Sequence, residues 1–224
     1  MEFAPCLLFA DLLQGSTLLE VGTGPSVYNV LSASKQFRDI VLSDLVNVNR
    51  IELEKWARNS EDAIDWTYRA EQVAAWEGCS DTKKRASEIV ERARQAIRKV
   101  IPCDVLEPGV LPEEHRETFD VVLSCNCLES ATTDHESFRR ALSNVASLVK
   151  PHGQLVLVGG GGIDGYVVAN EVFQMADVND DVIKQALVDA SLRCEVYQTR
   201  IIYEDSENKV PCRRYMFALV ARKL

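Results

Sequence analysis

Five short apolar runs, separated by stretches of helical periodicity, constrain this chain more than any other feature. They are 17–21 (TLLEV), 39–44 (DIVLSD), about 99–105 (ending CDV), 119–130 (FDVVLSCNCLES) and 154–160 (QLVLVGG). Runs this short and this continuously apolar suit strands buried on both faces of a parallel sheet, where each neighbour is reached by a crossover. Helical patterns at roughly 26–36, 49–58, 135–149 and 179–191 supply crossovers. The stretch 60–100 is longer than a crossover needs. Its last part, KKRASEIVERARQAIRKV, places Ala86, Ile89, Val90, Ala93, Ile97 and Val100 on one helical face. The end of the chain changes character: CEVYQTRIIYE and RYMFALVARK are β-branched and aromatic and flank the polar turn DSENKVPC, as in an antiparallel hairpin. The expected fold is α/β, a doubly wound, mostly parallel seven-stranded sheet with a C-terminal antiparallel hairpin.

Composition narrows the function classes. With 46% hydrophobic and 26% charged residues, the chain buries a core and is not a disordered segment. A net charge of −9 repels phosphate backbones, so no nucleic-acid partner is expected. The seven cysteines are odd in number and irregularly spaced, which reads as reduced thiols in a cytoplasmic protein. The three histidines, His115, His135 and His152, have no helical ligand spacing, and no metal is expected. The start, MEFAPCLLFADLLQGS, has an acid where a signal peptide has a basic leader. No stretch is apolar for the roughly twenty residues a membrane span needs. The expectation is a soluble, cytoplasmic monomer.

Ligands of such sheets sit at the carboxyl ends of the strands. After the first strand come Gly22, Thr23 and Gly24, then a helix. A glycine loop there lets a ligand approach the backbone closely, although a Gly-x-Gly turn alone is equally well structural. After the second strand comes Asp44, 22 residues beyond Gly22, placed to accept from ribose hydroxyls. After the third comes Asp104, suited to an adenine amino group, and after the fourth Ser124 and Cys125. Pro25 and Ser26 stand where a dinucleotide loop heads for its third glycine, which argues against a pyrophosphate. Glu20, just before the loop, would repel a diphosphate but suits a cofactor carrying an ammonium and a sulfonium. That cofactor is S-adenosyl-L-methionine.

The stretch LLEVGTGPSVYNVLSA resembles the signature of the small-molecule amine N-methyltransferases, the nicotinamide, phenylethanolamine and indolethylamine N-methyltransferases. The similarity continues through VLSD, ELEKWAR, AIDW, CDV, FDVVLSCNCLES, ALSNVASLVKPHGQLVLVG and FALVARKL, over 18–224. It implies an S-adenosylmethionine-dependent N-methyltransferase acting on a small amine or N-heterocycle. One domain would span 1–224, divided into a short leading segment (1–17), a cofactor-binding half (18–160) and a substrate-side half with the hairpin (161–224). By position it implies cofactor contacts at Gly22, Thr23, Gly24, Tyr28, Asp44, Asn49, Asp104, Val105 and Cys125, beside Glu20. Alone, Tyr28 would be read as a helix residue packing on the sheet and Asn49 as a helix cap.

Glu129 matches the acid that holds the amine in the phenylethanolamine enzymes and is the candidate catalytic residue. Its plain alternative is a helix N-terminal acid in a solvated turn. Tyr166 and Tyr203 match pocket aromatics of the family, and as core aromatics they would need no function. Tyr166 follows the glycine run GGGGIDGY, expected to be a loop. In the nicotinamide enzymes an acid binds the carboxamide where this chain has Gly159, and Asp164 replaces it only if the loop bends inward. The family also has an N-terminal helical segment whose tyrosines close over the site. Here about 17 residues precede the first strand, with Phe3 and Phe9 their only aromatics. The second hypothesis is therefore a cofactor-binding protein of the same fold with little turnover.

Overall fold

The computed structural model describes residues 5–205 and 212–224, without the side chains of residues 7, 203–205, 212 and 213. Phe3 and the hairpin turn 206–211 lie outside the described residues, as does the side chain of Tyr203. Strands β1 (Thr17–Val21), β2 (Asp39–Asp44), β3 (Ile97–Pro102), β4 (Phe119–Cys125) and β5 (Val149–Gly161) run parallel. Two short strands, β6 (Gly165–Val168) and β7 (Glu171–Gln174), pair with each other as a separate hairpin. The long strands β8 (Leu192–Asp205) and β9 (Cys212–Lys223) complete the main sheet, in the order β3-β2-β1-β4-β5-β9-β8. β9 is antiparallel to both of its neighbours. The strand order reverses direction between β1 and β4, so a crevice opens at their carboxyl ends.

Helices cover both faces because the strands are apolar on both. On one face α1 (Pro5–Leu8), α2 (Tyr28–Ala33), α3 (Asn47–Ala57), α4 (Thr67–Trp76) and α5 (Thr82–Ala96) bury Cys6, Val30, Trp56, Val73 and Ile89 against Leu18, Ile40 and Val121. On the other, α6 (His135–Ala146) and α7 (Asp180–Asp189) bury Phe138, Leu142 and Ile183 against Leu19, Val122 and Phe217. Helix α6 starts in a capping box: the Asp134 side chain accepts from the Ser137 N–H, and the Ser137 hydroxyl lies 3.3 Å from the Asp134 N–H. Phe9, 2% exposed, packs into the first core, which ties the segment before β1 to α2.

Three expectations change. The apolar face assigned to one long helix belongs to two elements: α5 ends at Ala96, and Ile97 and Val100 pair with Ile40 and Leu42 of β2. Their spacing fits a helix, and only the long-range pairing makes them strand. For the same reason β3 ends at Pro102, and CDV lies in the loop beyond it. The glycine run is not a free loop. Gly159 and Gly160 are in β5, as the run 154–160 implies, but the strand also takes in Gly161, which pairs with Tyr215, and Tyr166 is in β6 rather than in a loop.

Candidate active site

The crevice holds a cavity of about 360 Å³ lined by Glu20, Gly22, Thr23, Ser26, Tyr28, Asn29, Cys125, Asn126, Val158 and Met216. Glu20 is the last residue but one of β1, so its side chain reaches the crevice from beneath the loop. Its Oε1 accepts from Asn29 Nδ2 at 2.7 Å, while Oε2 has no hydrogen-bond partner among the described residues. Burial raises the Glu20 carboxyl to about 8, against the opposing bond from Asn29. A buried carboxyl with a free oxygen is a receptor for a positive charge. Tyr28, at the start of α2, contributes a buried hydroxyl that also has no partner, and the Arg69 guanidinium lies 5.2 Å from its ring centre.

The two glycines of the loop serve different ends. Both have positive φ, +71° at Gly22 and +65° at Gly24. A Cβ on Gly22 would meet Cys127 Sγ at 2.2 Å, so this glycine lets the loop lie on the chain after β4. A Cβ on Gly24 would meet nothing within 4 Å, so this glycine borders open space. Hydroxyls cross-link the strand ends beneath. Ser43 donates to the Glu20 carbonyl at 2.8 Å, Thr23 to the Ser43 carbonyl at 3.3 Å, and Ser124 to the Val21 carbonyl at 3.2 Å.

Asp44 closes β2 and is 6% exposed. Its Oδ2 accepts from the Gly24 N–H at 2.7 Å, and its Oδ1 from the Val46 N–H at 2.9 Å and Asn49 Nδ2 at 3.0 Å. A carboxylate offers about four acceptor sites, so roughly one remains for a ligand. Asn49 lies inside α3 and is not its cap, which falls at Val46. Asp104 caps its own turn by accepting from the Leu106 N–H at 2.9 Å, and it lines a neighbouring cleft of about 320 Å³ with Leu45, Cys103 and Val110. Val105 is buried, and its carbonyl accepts from Asn144.

Glu129 follows β4 and is 1% exposed, so it is not an acid in a solvated turn. Its Oε1 accepts from the Gly160 N–H at 2.8 Å, and its Oε2 has no hydrogen-bond partner among the described residues. Burial pushes the carboxyl up to about 7, partly offset by the bond from Gly160. Burial, and after it the nearby Glu20 carboxyl, pushes the Cys125 thiol well up, so this thiol stays protonated. Tyr166 is 39% exposed and stacks on Phe173 with ring centres 5.3 Å apart, so it is not a core aromatic. Asp164 is exposed, and its carbonyl accepts from Met175.

Glu20, Gly22, Thr23, Tyr28 and Cys125 share one cavity, and Gly24 and Asn49 join it through Asp44. Asp164 and Tyr166 stand apart, beyond β5. Sequence reasoning missed Asn29, Asn126, Val158 and Met216. Asn29 carried a signal, since a first-turn amide after a glycine loop faces the preceding strand end.

The residues fit S-adenosylmethionine. An orphaned, buried carboxyl oxygen suits its cationic end, open space borders Gly24, and Asp44 keeps an acceptor position. Among the described residues no group of three or more His, Cys, Asp or Glu is placed to hold a metal. No helix among them is long and apolar enough to cross a membrane.

Comparison with known proteins agrees. The model of the NNMT/PNMT/TEMT family matches residues 4–224. Human nicotinamide N-methyltransferase is 32% identical over 96% of this chain and 79% of its own length. Rabbit (Oryctolagus cuniculus) indolethylamine N-methyltransferase is 36% identical over 94% and 78%. Bovine phenylethanolamine N-methyltransferase is 32% identical over 82% and 65%. Among solved structures, a S-adenosylmethionine-dependent methyltransferase of Methanosarcina mazei superposes over 97% of each chain with a TM-score of 0.63 at 13% identity, a likeness of fold. By sequence and fold together, this chain belongs to the NNMT/PNMT/TEMT family and is a S-adenosylmethionine-dependent methyltransferase.

Proposed function

We propose that this methyltransferase acts on the nitrogen of a small amine or N-heterocycle, with Glu129 as its catalytic residue. The observation that carries this reading is the Glu129 carboxyl itself: buried, held at Oε1 by the Gly160 N–H, and free at Oε2. An amine in water is mostly an ammonium, and its nitrogen attacks only after losing a proton. A carboxyl pushed up to about 7 by burial is a stronger acceptor for that proton than an ordinary carboxylate, so the transfer is less uphill near neutral pH.

The cofactor, when bound, supplies a methyl group on a sulfonium. In this reading Glu20 and Asn29 face its cationic amino-acid end, with Tyr28 and Cys125 as walls. Gly22, Thr23 and Gly24 form the loop beside it. Asp44, oriented by Asn49, takes a ribose hydroxyl, and Asp104 and Val105 flank the adenine. Tyr166, Tyr203 and Asp164 belong to the acceptor side. The rest of the acceleration comes from orientation and from exclusion of water, which need no covalent intermediate.

The test is a methyl-transfer assay over a panel of amines and N-heterocycles, followed by mass. Turnover is expected on a nitrogen acceptor, and Glu129→Gln lowers kcat by about 10²-fold while calorimetric affinity for S-adenosylhomocysteine is unchanged. Tight binding of that product with no methylated nitrogen compound in the panel would overturn the proposal.

A further inference from the structure

Gly159 has no conformational need to be glycine, because it is not among the residues with positive φ. What it provides is space. A Cβ there would lie 2.5 Å from Phe217 Cζ, 2.8 Å from Phe217 Cε1 and 2.7 Å from Glu129 Oε1. Gly159 faces Phe217 across the β5–β9 register, and Phe217 is fully buried beside Tyr197, with ring centres 6.4 Å apart. A ring packed on all sides cannot yield without a cavity or a clash elsewhere. The carboxyl of Glu129 is the end of a longer, rotatable side chain, fixed by one hydrogen bond to Gly160. Of the two neighbours it is the one that moves.

We infer that Gly159 is a positioning residue for methyl transfer: its missing side chain seats the Glu129 carboxyl against the Gly160 N–H and leaves the second oxygen free for the acceptor nitrogen. The inference rests on the reading of Glu129 given above. It also explains the departure at this position. The glycine that stands where the nicotinamide enzymes carry an acid makes room for an acid reaching in from the end of β4.

The experiment compares the full chain with Glu129→Gln, Gly159→Ala, Phe217→Leu and the double variant Gly159→Ala/Phe217→Leu. Each is assayed for kcat and KM on the best amine acceptor, for the pH profile of kcat, and for S-adenosylhomocysteine affinity by calorimetry. Phe217→Leu removes the ring atoms that a new Cβ would strike but leaves the contact with Glu129. The double variant is therefore expected to fold and to bind the product like Phe217→Leu. Its kcat should still fall by about tenfold or more relative to Phe217→Leu, with the acid limb of the profile displaced. A packing defect alone would not displace that limb. A double variant with the kcat and acid limb of Phe217→Leu, while Glu129→Gln is impaired, overturns the role of Gly159 and spares that of Glu129. Glu129→Gln with unaltered turnover takes down both.

Discussion

At the carboxyl ends of β1, β2 and β4, polar side chains are tied to neighbouring strands and loops, whereas beyond β5 the chain turns apolar side chains to solvent. Ser43, Thr23, Ser124 and Asp44 each bond across a strand or loop boundary. On the β6–β7 hairpin, by contrast, Val167 and Val172 are 67% and 74% exposed, and Val168, Tyr166 and Phe173 are also open. The first region is braced before any ligand arrives, which suits a cofactor common to a whole fold class. The second owes its form to one short strand pairing and can change its side chains without disturbing the sheet. That division fits a family whose members share a methyl donor and differ in the acceptor named for each.

The sharpest break of this contrast is Gly22→Ala. A methyl group there meets both Sγ and Cβ of Cys127, at 2.2 and 2.5 Å, and sits on a backbone with φ of +71°. The loop must lift, and calorimetry is expected to find no measurable affinity for S-adenosylhomocysteine. Adding Cys127→Gly removes both contacting atoms but not the backbone strain of about 1 kcal/mol or more, so recovery is partial, whereas Cys127→Ala keeps the Cβ contact at 2.5 Å and restores less. Asp44→Ala comes next. It removes the acceptor of three protein N–H donors as well as the ligand's, and product affinity should weaken by about 1–3 kcal/mol. Unchanged affinity would remove Asp44 from the site.

The pH response separates the regions in another way. Glu20 and Glu129 are raised from 4.5 to about 8 and about 7, so the folded, ligand-free protein holds protons that the unfolded chain releases. Their contribution to stability is complete below about pH 4.5 and is lost as pH rises through 7 and 8. Thermal unfolding of the protein without cofactor should therefore show a falling Tm from about pH 5 to about pH 8, with a slope of at most about 1.4 kcal/mol per pH unit for each group. Glu20→Gln should flatten its share. A Tm that climbs over that range would contradict the burial of these acids. The smallest effect is expected from Val172→Ser, which should change stability by no more than about 0.5 kcal/mol and leave product affinity untouched. A large loss of product affinity would show that the hairpin braces the cofactor side after all.

Much of the fold was legible because its signals are local. β1 and β2 have the boundaries their apolar runs suggest, since a glycine loop and an acid end them. The terminal hairpin was equally plain. The end of α5 was not, because Ile97 and Val100 continue the helical spacing and only pairing with β2 pulls them into a strand. The β6–β7 hairpin was hidden by the glycines before it and by strands of four residues each. In the site, the glycines and acids stood out as residue types, but their states did not. That Glu129 is buried, that Asp44 already holds three donors, and that Gly22 is needed by Cys127 are facts of packing between segments about a hundred residues apart or less. No spacing rule encodes them.

In the proposed reading, Glu20 has a consequence for how the protein takes up its cofactor. With its carboxyl raised to about 8 by burial, Glu20 mostly carries a proton of its own at neutral pH when no cofactor is bound. A sulfonium or ammonium that settles against it must evict one. Loading is thus a trade of one cation for another, and acidification acts on this protein as a rival ligand would, weakening donor uptake without touching a single contact of the fold.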